Sequence, residues 1–234
     1  MSAVLELPQT TSLKAIEAAV DFARRHEASV ILSGIKWETY ERFVQKTLDK
    51  LRSPRFYYEK GNLLIVLPTA EHESNNRSLA SVVEVIAEIC EMDWCNFGST
   101  TFRREDIGRG FEPDTCFYFQ NVAQMRGVRR LEMSVYPAPE LIIEIDITSL
   151  STMRQSIYAA FGVAEIWRYN GVQVEILTLS EGRYAPCANS LALPLVTPAK
   201  LTEFLQLSQS LSRLEWLRQV RAWAQEAQIT QQAG

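Results

Sequence analysis

The chain reads as an α/β (α+β) domain, a mixed and bent β-sheet with helices around it, and three observations predict this. Amphipathic helical stretches alternate with short apolar strands along the sequence. Gly61-Asn62 and Asn170-Gly171 are two-residue turns of the kind that joins strands into hairpins. With 234 residues, of which 47% are hydrophobic and 22% charged, the chain can bury a full core. Spacing alone leaves the strand order open.

Taken in order, residues 11–26 form a helix, because Leu13, Ile16, Ala19, Val20 and Ala23 recur at helical spacing. Residues 1–29 are expected as an N-terminal helical arm. A second helix starts at Ser33-Gly34 and places Trp37, Tyr40, Phe43 and Val44 on one face. Residues 55–60 and 63–67 are strands of a hairpin. A loop over 68–73 follows, with Thr69 or Ser74 available to cap a third helix over about 74–91. Residues 96–102 are expected as a Ser/Thr-rich strand, 103–110 as a charged loop and 116–119 as an aromatic strand. The stretch 122–132 is expected to be a loop running into a strand that opposes 140–148, with Tyr136-Pro137-Ala138-Pro139 as a rigid lead-in. Ser149, Leu150 and Ser151 turn this strand into a helix carrying Arg154 and Tyr158. Strands at 165–169 and 172–179 flank Asn170-Gly171, and 183–187 adds another. Residues 198–228 are a closing helical segment, broken near 208–212. Its apolar stripe, Leu201 to Trp223, belongs to the domain's own core or to a second subunit.

Bulk properties bound the function. A net charge of −4 argues against general adhesion to nucleic acid, though a local basic groove remains compatible with it. No apolar run reaches the length of a membrane helix, and the first eleven residues lack the pattern of a signal peptide, so a cytoplasmic location is expected. Cys90, Cys95, Cys116 and Cys187 show no CxxC spacing and there are two histidines, which argues for reduced, mostly buried thiols rather than zinc.

The chemistry gathers between Phe111 and Tyr169. Residues two apart on a strand share a face, so Glu144 and Asp146 project together while Ile143, Ile145 and Ile147 project the other way. Two carboxylates in an apolar strand call for a positive partner, either a metal ion or a basic side chain. A third acid, Asp114, follows Pro113 just before the aromatic strand, and Arg154 lies in the first turn of the helix that leaves the Glu144 strand. The residues leave two readings open. In one, Asp114, Glu144 and Asp146 surround a divalent metal for phosphodiester cleavage. In the other, Asp114 caps a turn and Glu144 pairs with Arg154 as a buried salt bridge.

The Pro113-Asp114 step, the run from Glu144 to Ser149 and the stretch from Ile157 to Tyr169 resemble the Uma-two family. These are restriction-endonuclease-like proteins of the PD-(D/E)XK nuclease superfamily, abundant in cyanobacteria. The resemblance covers about 30–204 and implies a core in which a four-stranded mixed sheet is flanked by helices and the acids meet at one sheet end. A restriction-endonuclease-like domain over 30–206 and a C-terminal helix over 207–234 follow from it. It implies a divalent-metal-dependent deoxyribonuclease with Asp114 and Glu144 as ligands of Mg²⁺ or Mn²⁺. Arg154 stands four residues before Tyr158, where relatives commonly carry Lys, and Asp146 stands where the superfamily places a strand Lys. Asp146 is therefore expected as a further ligand or as the group that orients Arg154. The alternative is a protein that kept the fold, lost turnover and binds nucleic acid or assembles.

Around these residues, Glu112 and His72 are expected in supporting roles. The run Glu71-His72-Glu73 reads more simply as a helix-entry loop. Arg103, Arg104, Arg109, Arg126, Arg129 and Arg130 bracket the Asp114 strand and are candidate phosphate contacts for DNA, or else ordinary solvated loop residues. Trp167, Tyr169 and the aromatic strand read as core, and no His accompanies Ser149, Ser151 or Ser156 as a hydrolase would need. A homodimer would set two sites on opposite strands of a duplex.

Overall fold

The computed structural model describes residues 4–7, 12–26, 28–47, 54–146 and 151–233. Strand β1 (Val4–Leu7) leads through α1 (Leu13–His26) to β2 (Ser29–Leu32), α2 (Trp37–Thr47) and the hairpin of β3 (Arg55–Glu59) and β4 (Asn62–Val66). Helix α3 (Ala70–Ile89) follows, then β5 (Cys95–Asn96), β6 (Phe102–Arg104), β7 (Arg109–Phe111), β8 (Thr115–Tyr118) and the short α4 (Val122–Met125). The remainder is β9 (Leu141–Ile145), α5 (Ser151–Phe161), β10 (Glu165–Tyr169), β11 (Val174–Ser180), β12 (Arg183–Pro186), α6 (Pro198–Ser210) and α7 (Arg213–Ala233). The expected mixed α/β class is the class observed.

The strands form two six-stranded sheets, ordered β1-β2-β4-β3-β7-β6 and β12-β11-β10-β9-β8-β5. Both are mixed: β1 and β2 run parallel in the first, β9 and β10 in the second. Three packed clusters layer the molecule. One joins α1 and α2 to the first sheet through Ile16, Ala19, Val30, Tyr40, Phe56 and Ile65. The middle one sets α5 between the sheets, with Tyr57 and Phe111 meeting Ile142, Ile166, Ile157 and Tyr158. The third covers the far face of the second sheet with α3, α6 and α7. Alternation along β9 explains the division: Leu141, Ile143 and Ile145 belong to the outer cluster, and Ile142 to the middle one. Glu144 therefore projects with Ile142 into the space between the sheets. Residues 147–150, including Ile147, Thr148 and Ser149, lie outside the described residues.

Several local expectations are corrected. Strand β2 precedes the second helix, which begins at Trp37 rather than at Ser33. Helix α3 begins at Ala70, so Glu71, His72 and Glu73 sit in its first turn and not in a loop. Thr69 is its cap, accepting the His72 N–H, and Glu71 and Glu73 oppose the positive end of the helix dipole. Residues 102–111 form a tight β6–β7 hairpin, not a charged loop. Gly110 permits it, because a Cβ there would lie 2.5 Å from Tyr40 Oη. No strand forms within 122–132; β8 itself opposes β9, with Thr115 facing Ile143. The chain turns away after β8 because the Glu140 carboxylate accepts the N–H groups of Phe119, Gln120 and Asn121.

At the C-terminus, α6 and α7 are separate helices, as the break near 208–212 predicts. Leu201, Phe204, Leu205, Trp216 and Val220 are buried in the outer cluster. Of the two uses expected for this stripe, the domain's own core is the one observed. The four cysteines are free, and only Cys116 is fully buried; the other three are half-buried. Among the described residues, no helix is long and apolar enough to cross a membrane.

Candidate active site

Glu144 enters the space between the sheets from β9 and is 2% exposed. An ionised carboxylate at that depth needs donors on both oxygens. Arg154 Nη1 donates to Glu144 Oε2 over 2.8 Å, and Tyr158 Oη donates to Oε1 over 2.5 Å. Both donors come from α5, where an i, i+4 spacing puts them on one helix face. From the other sheet, Tyr57 Oη lies 3.3 Å from both oxygens. The Tyr57 ring also carries the Arg154 guanidinium over its face, 4.9 Å from the centroid. Asp146, one residue past the end of β9, stands 3.6 Å from Arg154 Nη2.

Asp114 precedes β8 and is held from three sides. Its Oδ2 accepts the backbone N–H of Ile145 at 2.8 Å and contacts His72 Nε2 at 3.0 Å. Its Oδ1 lies 3.6 Å from Arg55 Nε. Asn76, one turn beyond His72 on α3, donates to the Asp114 carbonyl and accepts the Thr115 hydroxyl. Through Ile145, the Asp114 carboxylate is tied to the residue next to Glu144. The sequence-predicted residues Asp114, Glu144, Asp146, Arg154 and His72 thus meet at one end of β9.

The electrostatics follow from burial and neighbours. Burial pushes the Glu144 carboxyl up, and the nearby Asp114 charge adds to that, while Arg154 opposes both. Burial alone would also raise Asp114, but the hydrogen bond and charge of His72 hold it below the usual carboxylate range. Burial lowers His72, yet its Asp114 partner outweighs this and raises it. Arg154 is held firmly charged: burial disfavours the cation, and Tyr57, Glu144 and Asp146 overcome that.

Glu112 stands beside this group. It is 8% exposed, accepts the Thr101 hydroxyl at 2.7 Å and the Phe56 N–H at 3.3 Å, and is pushed up to about 7 by burial. Its hydrogen bonds lie with β3 and the residue before β6, and neither is to Glu144. The basic residues expected on either side are mostly paired. Arg103 meets Glu41 at 3.0 Å, Arg104 meets Asp106, Arg109 meets Glu59 and Arg126 meets Asp93. Arg129 and Arg130 are exposed.

Tyr57, Arg55 and Asn76 are not singled out by the sequence, and Tyr158 is marked there only by its place four residues after Arg154, without a role. Nothing local marks Tyr57, which reaches Glu144 across 87 positions of the chain.

The family model for Uma2, described as "Putative restriction endonuclease", matches residues 37–215. The match contains every acid and base of the site. Among solved structures, the chain is similar to a putative nuclease belonging to DUF820 from Anabaena variabilis ATCC 29413. The TM-score is 0.46 at 15% identity, over 77% of this chain and 98% of that one. No match was found among curated proteins. With three quarters of its length inside that match, the chain belongs to the Uma2 family.

Proposed function

We propose that this protein is a divalent-metal-dependent deoxyribonuclease whose site is Asp114, Glu144 and Arg154, with Asp146 beside them. One observation carries the reading: buried Glu144 meets a fixed cation from the next helix, and a second buried acid, Asp114, is hydrogen-bonded to the backbone of Ile145 beside it. The donor set suits a hard cation. Mg²⁺ is commonly held by one or two carboxylates, with water and substrate phosphate completing the shell. No cage of three or more His, Cys, Asp or Glu side chains exists among the described residues, so any ion would depend on such a shell. Burial, and after it the neighbouring Asp114 charge, push the Glu144 carboxyl up, and a bound cation would oppose both.

In this reading Asp114 and Glu144 would hold Mg²⁺ or Mn²⁺, and the ion would supply an activated water and neutralise phosphate charge. His72 and the Ile145 N–H keep the Asp114 carboxylate aimed. Tyr158 donates to Glu144 and favours its ionised form, and Tyr57 Oη lies 3.3 Å from both of its oxygens. Arg154 remains protonated at every working pH, so it offers charge to a pentavalent phosphate but not general base catalysis. Its buried Nε has no hydrogen-bond partner among the described residues. DNA is the substrate proposed, with Arg129 and Arg130 the exposed members of the basic set.

A second reading has an observation of its own. Arg154 bridges Glu144 and Asp146, which makes the acids self-compensating, as in a protein that binds nucleic acid without cutting it. Thermal unfolding in the presence of Mg²⁺ or Mn²⁺ tests metal binding. The metal-dependent reading expects a higher Tm for the wild type and no shift for Glu144→Gln. Equal behaviour of the two at millimolar metal rejects it.

A further inference from the structure

A small cleft opens beside the buried acids, with Glu144, Asp146, Arg154, Gln155 and Arg168 in its wall. Arg168 is its least expected member. It lies on β10, an interior strand between β9 and β11, where a charged side chain is costly without a purpose. In the parallel register, Arg168 is the direct neighbour of Glu144, so the two share the face between the sheets.

Arg168 is also only partly committed. Its Nε and Nη2 both donate to a single oxygen, Oε2 of Glu175 on β11. No partner for Nη1 exists among the described residues, although a guanidinium carries five N–H donors. The pair is accessible to solvent, with side chains 22% and 27% exposed, whereas Arg154 and Glu144 are 4% and 3% exposed. Charge in the cleft wall is thus arranged in depth: Arg154 is locked to the acids inside, and Arg168 is the more exposed cation.

We propose that Arg168 is a substrate-positioning residue, the first phosphate contact at the mouth of the cleft, and that Glu175 holds it in place until a nucleic-acid phosphate takes over part of its hydrogen bonding. This rests on the nucleic-acid part of the function proposed above. Arg168 is suited to the role because its planar fork can bind a phosphate bidentately while one edge stays on Glu175. Removing Glu175's charge should leave Arg168 more available and strengthen the contact.

The test is binding of a fluorescein-labelled 20-base-pair duplex in EDTA, followed by anisotropy across a salt series, for the wild type, Arg168→Ala, Arg168→Lys and Glu175→Gln. Losing one charge-assisted contact should weaken binding by roughly tenfold or more in Arg168→Ala. The slope of log K against log salt should fall by about 0.9, the share of one phosphate. Arg168→Lys should restore the slope but not all of the affinity, and Glu175→Gln should bind more tightly than wild type. A purely structural Arg168 would leave the slope unchanged, and that result overturns the proposal, as does a wild type that does not bind the duplex. If the wild type binds with the expected slopes yet never cleaves DNA with Mn²⁺, the nuclease reading fails and the role of Arg168 stands.

Discussion

Arg154 and Glu144 form a buried ion pair, Nη1 to Oε2 at 2.8 Å, with Asp146 3.6 Å from the other end of the same guanidinium. Deleting one partner of such a pair strands a charge in the interior. Arg154→Ala should therefore lose on the order of 3–5 kcal/mol of stability, in addition to any effect on chemistry. Arg154→Lys keeps a charge and should retain most of it. Urea unfolding checks this, and an unchanged midpoint for Arg154→Ala would contradict the pairing. In cleavage assays at temperatures where both variants are folded, Arg154→Ala should lose about a hundredfold in rate, the scale of one preorganised donor. Arg154→Lys should match or exceed the wild type.

Glu112 gives the fold a pH dependence of definite sign. Burial raises its carboxyl from 4.5 to about 7, so the folded state favours the protonated form. Below about 4.5 the acid is protonated in both states and carries no penalty. As pH rises toward about 7 the unfolded chain releases its proton first, and stability falls by ~3 kcal/mol over that interval. Glu112→Gln stays neutral throughout. Its stability relative to wild type should rise steadily between pH 4.5 and 7 and level off above, as read from urea unfolding at a series of pH values. A constant difference would show that Glu112 is as acidic in the fold as in the unfolded chain.

His72 holds Asp114 from α3, and the helix start that places it depends on the Thr69 cap. Groups that orient a metal ligand typically contribute 10–100-fold in affinity. His72→Ala should weaken Mn²⁺ binding by about that factor in calorimetry, with Glu144 unchanged. His72→Gln, which can still donate to the carboxylate, should recover part of the loss. Equal Mn²⁺ affinity in all three proteins would reduce His72 to a packing residue.

The site was legible where it is local in sequence. Period-two alternation put Glu144 on the face opposite Ile143 and Ile145, and the short step to Arg154 brought a cation back to the same acids. Asn170-Gly171 marked the β10–β11 hairpin for the same reason, since turn chemistry is written in adjacent residues. What joined the site from afar left no such mark. Tyr57 and Arg55 come from the other sheet and His72 from the first turn of α3, and only the packing of the two sheets around α5 brings them to Glu144 and Asp114. Clustering in sequence suggested a phosphate surface, and in the fold Arg103, Arg104 and Arg126 of that set each lie against an acid. The cation at the cleft, Arg168, sits alone in an apolar strand and drew no notice.

The most direct measurement is cleavage of supercoiled plasmid DNA by the wild type, Asp114→Asn and Glu144→Gln, each with Mn²⁺, with Mg²⁺ and with EDTA. Both variants keep the shape of the side chain but remove its charge, so the comparison is made at a temperature where circular dichroism shows each variant folded. The account predicts nicked and linear DNA from the wild type with either metal, none in EDTA, and a loss of at least a hundredfold in both variants. Cleavage that persists in EDTA or survives Asp114→Asn, or a folded wild type that leaves the plasmid intact with both metals, would contradict it.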